Sequence, residues 1–537
     1  MTPFQVFRLW LRRSPGSERA AAAAATLLVL SLLGWTLVPT SGASTSNRFA
    51  SRALGQPPGA STAGPAGTAP AGVEPARTGP AGRQSQGAVT GGLTPGSSAA
   101  AGAGSPRAGA PGGGTPGGGT PGGGTPSAGC AAAPASVKGI TPSVVKIGIA
   151  IVDIAGPAAN SVFGIDDPKV YQAQYDAVIR SINASGGVAC RKLVAQYYKA
   201  NPADKSQMQA VCLDMAQAGV FAAIDLGEYG AVPSTIPCFP QHGMMLFSAY
   251  SLTEQLREQF YPYLYAFDRF DNLYRNTVHG LRERGFFDAA HGFRKLGIFY
   301  RSCTPQLFQE ELDYLHQIGL QDSQIDTFDF GCPQVFASPA DVQQAVLKFR
   351  TDGVTNVTYV DGLGDFANFT KFAQQQGYKP RYGLPDDNII STAYGNLRPD
   401  PNNIAGALAI ADSRDAEDRT AGMTPTAGTK RCMKILRPVS PPHPSQFPNR
   451  DYPTSGNPCD VMWLFQAAMN HAATLSPEGL EAGLRAAGSV DFAFPQGPTR
   501  FNTAGVTTGG QFWRTTQFFL SCKCWRLVEP QFHPSVQ

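Results

Sequence analysis

The chain has 537 residues, of which 43 are Lys or Arg and 39 are Asp or Glu, so its formal net charge is +4. A balance this close to neutral over so long a chain argues against nucleic acid as the main partner. Residues 40–129 contain no Ile, Met, Tyr, Trp, Cys or Lys, whereas aromatic, branched and cysteine residues occur throughout the chain after Cys130. The composition therefore predicts a low-complexity segment followed by a folded module, which begins near residue 137.

An apolar run at Ala20–Val38 lies near the start of the chain, and four Arg residues precede it. About 20 apolar residues span a bilayer as a helix, and basic flanks stay on the cytoplasmic side. We therefore expect residues 1–19 to be cytoplasmic and the rest to be exported. The run fits a retained transmembrane anchor or a cleaved signal peptide with its site near Ser41–Ala43, and the sequence leaves both open. Either way, we expect an extracytoplasmic protein that is membrane-anchored or secreted.

Residues 39–136 are dominated by Gly, Pro, Ala, Ser and Thr, and Pro111–Thr125 consists of three tandem copies of PGGGT. The few large apolar side chains in this stretch cannot offset the conformational entropy lost on folding. Gly-rich and Pro-containing repeats of this kind behave as flexible spacers. The sequence therefore predicts a disordered tether between the N-terminal helix and the module.

The module opens with Val144–Val152, an apolar, β-branched run that ends at Asp153 and is typical of a buried parallel strand. Strand and helix patterns then alternate. We expect helices at Val170–Asn183, Pro202–Ala218 and Pro233–His242, and strands at Lys192–Tyr198, Val220–Leu226 and Met244–Phe247. This alternation predicts a doubly wound parallel sheet.

The same pattern restarts near Asn272, which predicts a second α/β unit. Its expected helices are Asn272–Arg284, Gln306–Ile318, Pro339–Asp352 and Asp365–Gln376, and its expected strands are Lys295–Tyr300, Ile325–Phe330 and Asn356–Val360. Further helices are expected at Cys459–Thr474 and Pro477–Ala487. A Gly-rich, hairpin-like segment into Gln517–Val528 closes the module.

All ten cysteines lie at or after Cys130, and in an exported chain an even number favours disulfides. The expected pairs are Cys190 with Cys212, Cys303 with Cys332, and Cys432 with Cys459. Cys522 and Cys524 are expected to need separate partners, and Cys130 is a candidate for one of them. No CxxC pair occurs and no His lies at a ligand spacing, so we expect neither a metal nor another cofactor.

Three segments in order carry a family resemblance: VKIGIAIVDIAG at 145–156, SINASGGVACRKLV at 181–194 and YYKANPAD at 197–204. Together with QQQGYKPRYG at 374–383 and GPTRFNTAG at 497–505, they cover about residues 143–528. The chain resembles the type I periplasmic solute-binding proteins. More narrowly, it looks like the branched-chain amino acid (Leu/Ile/Val) binding branch of ABC uptake systems.

The resemblance implies two Rossmann-like lobes with doubly wound parallel sheets, joined by three hinge crossovers around a ligand cleft. The implied boundaries are a module at 137–528, lobe 1 at about 143–267 and 390–495, lobe 2 at about 268–389 and 496–528, and a tail at 529–537. It also implies a monomer that is not an enzyme. Such a protein would capture a small polar, amino acid-like solute and deliver it to an ABC permease.

The resemblance implies that hydroxyls and backbone N–H groups in the loops after the third and fourth strands hold the ligand. Ser248 and Ser251 are the candidate hydroxyls, although each could instead cap the following segment. Tyr229 and Tyr250, in the same two loops, are candidates for stacking on the ligand or for packing in the cleft. Glu228 and Tyr229 stand where small residues are usual, which argues against a simple leucine-like ligand.

In the second unit, Asp361 follows a strand, and Asp387 lies where the family commonly places an acidic ligand residue. We expect Asp387 to contact an amine of the ligand, with turn capping as the alternative. Ser302–Pro305 stands where the family usually carries Tyr-Gly, so that contact is expected to be lost.

Other functions fit the sequence less directly. Gly362–Ala367 has the outline of a dinucleotide fingerprint, but Asp365 would put negative charge where pyrophosphate must lie. A sensory receptor module could use the same cleft to signal to a membrane partner. An envelope hydrolase is a further alternative, although no GxSxG, HExxH or Walker sequence occurs.

Overall fold

The computed structural model of the chain describes most of residues 137–536. The described ranges are 137–154, 156, 160, 165–249, 252–332, 336–386, 398–414, 416–439, 458–494, 497, 499–505, 507–510 and 512–536. The expected anchor, the tether and Cys130 therefore lie outside the described residues, as do Tyr250, Ser251 and Asp387. Within those ranges we find no helix with the length and apolar character needed to cross a bilayer.

The first lobe is built on a sheet of parallel strands in the order β2-β1-β3-β4-β5. These strands are β1 (Val144–Val152), β2 (Lys192–Ala200), β3 (Ala222–Asp225), β4 (Met245–Ser248) and β5 (Leu264–Ala266). The helices between them are α1 (Pro168–Ala184), α2 (Lys205–Gln217), α3 (Cys238–Gln241) and α4 (Glu254–Gln259). Each connecting helix returns the chain to the same sheet edge, which makes the strands parallel.

Strand β1, which lies between β2 and β3, shows that this sheet is buried on both faces. Val145, Ile147 and Ile149 are fully buried, and Ala150 and Ile151 are almost so. A strand with apolar residues on both faces must be covered by helices on both sides. The carboxyl ends of β1, β3 and β4 consequently meet at one edge of the lobe.

The second lobe has a mixed sheet in the order β14-β13-β10-β9-β8-β6-β7, and its strands from β6 to β10 are mutually parallel. These strands are β6 (Leu296–Tyr300), β7 (Ile325–Asp329), β8 (Asn356–Val360), β9 (Arg381–Asp386), β10 (Leu408–Ala411), β13 (Phe512–Phe519) and β14 (Cys524–Leu527). Its helices are α5 (Phe270–Glu283), α6 (Pro305–Gln317), α7 (Pro339–Thr351) and α8 (Leu363–Gln375). The predicted α/β class with parallel sheets is therefore confirmed.

Between β10 and β13 the chain returns to the first lobe. It forms helices α9 (Ala427–Leu436), α10 (Pro458–His471) and α11 (Pro477–Ala487), and a small antiparallel pair of β11 (Ser489–Val490) and β12 (Thr499–Arg500). Trp463 and Phe465 of α10 belong to the same apolar core as Ile147 and Phe247 of the first sheet. Near the C-terminus, β15 (His533–Pro534) pairs with β13.

The lobe boundaries differ from those that the resemblance implied. Leu408–Ala411 pairs with β9 in the second sheet, so the chain leaves that lobe after residue 411 and not near 390. At the third crossover, Ala266 still donates its N–H to the Thr507 carbonyl at 3.1 Å, so the first lobe extends past 496. The sequence alone does not predict these boundaries, because the residues of a short apolar strand do not indicate which sheet the strand joins.

The disulfides follow the expected scheme in part. Cys303 pairs with Cys332, and Cys432 pairs with Cys459, as expected. The other expectations were wrong. Cys212 pairs with Cys238 and not with Cys190, which is disulfide-bonded elsewhere, and Cys522 pairs with Cys524, so neither is a partner for Cys130. The spacing along the chain predicted the wrong partner for Cys212. Helices α2 and α3 pack side by side, and this brings Cys212 and Cys238 together.

Candidate functional site

A cavity of about 290 Å³ lies between the two lobes. The first lobe contributes the turn after β3 and helix α4, and the second lobe contributes the segment after β6. The lining residues are Pro233, Ser234, Pro237, Thr253, Gln255, Leu256, Gln259 and Phe260 of the first lobe, and Cys303, Thr304, Gln306 and Leu307 of the second. All of these segments follow the carboxyl ends of strands, where open α/β sheets bind their ligands.

On the second-lobe side, Thr304 connects the cavity wall to a carboxyl group. Its hydroxyl donates to Asp361 Oδ2 at 3.2 Å, and the Asp361 N–H donates to the Tyr274 hydroxyl at 2.8 Å. Asp361 has a φ of 52°, in the left-handed region that Asp tolerates better than most residues. Burial raises the pKa of the Asp361 carboxyl, and the nearby Arg301 guanidinium partly opposes that rise.

A buried ion pair supports this rim from behind. Arg301 donates through Nε and Nη2 to Asp365 Oδ2 at 3.0 and 2.9 Å. The other oxygen of Asp365 accepts the Ala337 N–H at 2.8 Å, and the side chain is fully buried. Asp365 is therefore a structural anchor at the start of α8, which agrees with the rejection of a dinucleotide site there.

On the first-lobe side, two carboxyl groups lie at the end of β3. Asp225 Oδ2 accepts the Tyr229 N–H at 2.8 Å, and the Ser248 hydroxyl and the Gly227 N–H also donate to this carboxyl. Glu228 folds back so that its Oε2 accepts the Leu226 N–H at 2.7 Å. Gly227 permits this reversal because its φ of 117° is accessible to glycine.

Both carboxyl groups are buried, and the charge on Asp225 acts on Glu228. Asp225 has no exposed surface and Glu228 is 7 % exposed. Burial raises the pKa of Asp225, and burial together with the charge on Asp225 raises the pKa of Glu228. No Lys or Arg of the described residues is a significant influence on either group. The pair therefore retains a proton at a pH where ordinary carboxyl groups have lost it.

The structure places the predicted ligand residues in different environments. Ser248 ends β4 and is fully buried, with its hydroxyl directed to Asp225. Asp361 lies behind the cavity wall, where it accepts the Thr304 hydroxyl. For Tyr229, which was a candidate for stacking on the ligand or for packing, the burial favours packing, because its ring is fully buried against Phe239 with centroids 4.6 Å apart.

Sequence reasoning missed several residues of this site. Asp225 was assigned to the interior of a strand, although it is the last residue of β3. Thr304 was noted only as part of a lost contact, and Arg301 was assigned no role. The signal that could have found them is position, since each lies at or just after the carboxyl end of a strand that alternation had already predicted.

No protein-family model and no curated protein matches this chain. Solved structures do match it. One is a type 1 periplasmic binding protein from Bordetella pertussis, with 13 % identity, 72 % of this chain and 100 % of that chain covered, and a TM-score of 0.54. Another is an ABC transporter solute-binding protein from R. palustris in complex with 4-hydroxybenzoate, with 13 % identity, 73 % and 98 % covered, and a TM-score of 0.53.

A third match is a branched-chain amino acid transporter substrate-binding protein from Streptococcus pneumoniae in complex with isoleucine. It has 12 % identity, 72 % of this chain and 100 % of that chain covered, and a TM-score of 0.52. At such identities the likeness shows the fold. The described module therefore has the fold of the type I periplasmic binding proteins.

Proposed function

We propose that this protein is an extracytoplasmic solute-binding protein, which captures a small polar organic, amino acid-like solute between its lobes for delivery to an ABC permease. The observation that carries the proposal is the cavity of about 290 Å³ whose walls come from both lobes. A site formed by two lobes closes around its ligand when they rotate toward each other. The R. palustris and S. pneumoniae structures support this reading, because proteins of the same fold are described there with small organic ligands.

The rest of the chain fits this role. The disulfides of the module suit an oxidising, extracytoplasmic compartment. In the proposal, residues 20–38 anchor the chain to the membrane or direct its export, and residues 39–136 are the tether that lets a monomeric module reach its permease. The branched-chain amino acid branch remains the family to which the sequence motifs point.

The direct test is ligand-dependent thermal stabilisation of the full-length protein with a panel of amino acids, aromatic acids and amines. We expect at least one compound to raise Tm in a concentration-dependent manner, because a ligand that binds only the folded state stabilises it. Thr304→Val should weaken binding of that compound, since it removes a hydroxyl from the cavity wall. Thr351→Val, which changes an exposed residue at the end of α7, is the matched control. If no compound changes Tm, the proposal is wrong.

A further inference from the structure

We propose that the first lobe binds its ligand through a protonated amine, held by Asp225 and Glu228, and not through a ligand carboxylate. This inference rests on the proposed function and specifies the class of its ligand. It reverses the orientation implied by the resemblance, which places the ligand carboxylate in this lobe and the amine on Asp387.

The chain's own carboxyl groups already occupy several backbone donors at the strand ends of the first lobe. The Glu228 carboxyl accepts the N–H groups of Leu226, Val152 and Glu228 itself. Asp225 accepts those of Gly227 and Tyr229. Backbone N–H groups at strand ends are what an anionic ligand group needs, and here the chain supplies its own anions to them. An incoming carboxylate would meet two acceptor groups that become negatively charged, as it is, when they lose their protons.

Two buried polar atoms at or near this pair have no hydrogen-bond partner. Asp225 Oδ1 has no hydrogen-bond partner and no exposure. The Tyr175 hydroxyl of helix α1 is also buried without a partner, and the charges on Glu228 and Asp225 both act on it. Buried polar atoms are rarely left unsatisfied, and both of these oxygens can accept a hydrogen bond from a ligand donor. An ammonium group would supply three N–H donors and a positive charge beside the two carboxyl groups.

The carboxyl pair lies close in the chain to the cavity wall. Pro233 and Ser234 of the wall follow the turn that carries Glu228, and Thr253 of the wall follows Ser248, whose hydroxyl donates to Asp225. The carboxyl pair therefore lies at the strand ends from which the chain continues toward the first-lobe wall of the cavity. No group of three or more His, Cys, Asp or Glu suited to a metal ion occurs among the described residues, which favours an organic cation over an inorganic one.

The test compares probes of different charge on the full-length protein by calorimetry at pH 7.5. The organic cations are putrescine, agmatine and L-arginine, the zwitterion is L-isoleucine and the anion is 4-hydroxybenzoate. NaCl and CaCl₂ test inorganic cations. We expect an organic cation to bind and to release protons on binding, because a cation favours loss of the proton that the carboxyl pair retains. Its affinity should consequently rise with pH.

Glu228→Gln separates a ligand contact from a structural role. The substitution keeps the shape and removes the ionisable group, but it leaves one acceptor oxygen where the carboxylate has two, so we expect a folded protein whose Tm without ligand is at most modestly lower. Affinity for the organic cation should fall at least tenfold. Glu478→Gln, at an exposed position of the same lobe, should change neither property.

The outcomes distinguish the two proposals. If only L-isoleucine, 4-hydroxybenzoate or an inorganic cation binds, or if Glu228→Gln leaves the affinity for the organic cation intact, the inference is wrong while solute binding stands. If neither these probes nor the wider panel binds, the proposed function fails together with it.

Discussion

The carboxyl groups of Asp268 and Asp412 are hydrogen-bonded to each other although they lie on different crossovers between the lobes. Each residue is 5 % exposed. A bond between two carboxyl groups requires a shared proton, and burial raises the pKa of Asp268 accordingly. Gly510 of the third crossover lies against the same group, because a Cβ atom there would be 2.3 Å from Asp268 Cγ. All three crossovers therefore converge on one buried acid pair.

Gly510→Ala tests this convergence. The added methyl group would overlap the Asp268 carboxyl, which is buried and cannot move away without breaking its bond to Asp412. We expect a loss of about 1–3 kcal/mol in the free energy of unfolding, measured by urea titration. Thr503→Ala, at an exposed position in the same part of the chain, should be nearly neutral. An unchanged unfolding midpoint for Gly510→Ala would show that the crossovers are not packed this tightly.

Glu311 of helix α6 predicts a pH-dependent stability. It is 1 % exposed, its Oε2 has no hydrogen-bond partner, and burial raises its pKa to about 8 from an ordinary value of 4.5. Since the folded state holds this proton more tightly than the unfolded state, stability falls as pH rises from about 4.5 to about 8.

Glu311→Met removes this effect. The variant should gain stability over the wild type progressively between pH 5 and pH 8.5, by on the order of 2–4 kcal/mol at the upper end. Urea titrations at several pH values measure the difference. Glu258→Met, at a solvent-exposed side chain, is the control and should show no such trend. A constant difference across the pH range would contradict the assignment to Glu311.

Asp365→Asn tests the ion pair behind the cavity rim. The amide has one acceptor oxygen where the carboxylate has two, so either the Arg301 guanidinium or the Ala337 N–H loses its partner. Breaking a buried pair in this way typically costs about 3–5 kcal/mol. Thermal unfolding of this variant should be clearly earlier than that of Asp322→Asn, whose parent side chain is 94 % exposed. Equal Tm values would mean that the pair contributes little.

Tyr229→Phe tests the position of this tyrosine in the core. Its hydroxyl donates to the Met208 carbonyl at 3.2 Å, so we expect a loss of about 0.5–1.5 kcal/mol in stability. Affinity for a bound probe should be unchanged, because the ring faces Phe239 and not the cavity. Tyr261→Phe, at a side chain that is 42 % exposed, is the control for stability. A tenfold loss of affinity would restore Tyr229 as a ligand residue.

The fold could be predicted to the extent that its elements are long and regular. Runs such as Val144–Val152 and Pro339–Asp352 have the periods of buried strands and amphipathic helices, and the structure has elements there. Leu264–Ala266 and Leu408–Ala411 were missed because so few residues carry little periodic signal. The assignment of Leu408–Ala411 to the second sheet depends on pairing with a distant strand.

The site was less predictable because its chemistry depends on contacts between loops. Ser248 was found through the family resemblance, but its hydrogen bond to Asp225 depends on how β3 and β4 align. Glu228 was recognised as unusual, yet the return of its side chain to the Leu226 N–H depends on the left-handed Gly227. Such arrangements follow from three-dimensional neighbours that no local pattern encodes.

The disulfide between Cys432 and Cys459 joins helix α9 to the start of helix α10. A cut in the backbone anywhere between these two cysteines would therefore leave both fragments covalently attached. Such a nicked protein would migrate as one species without reductant and as two with it. The same bond would keep helices α9 and α10 covalently joined if a peptide were inserted into the chain after the end of α9.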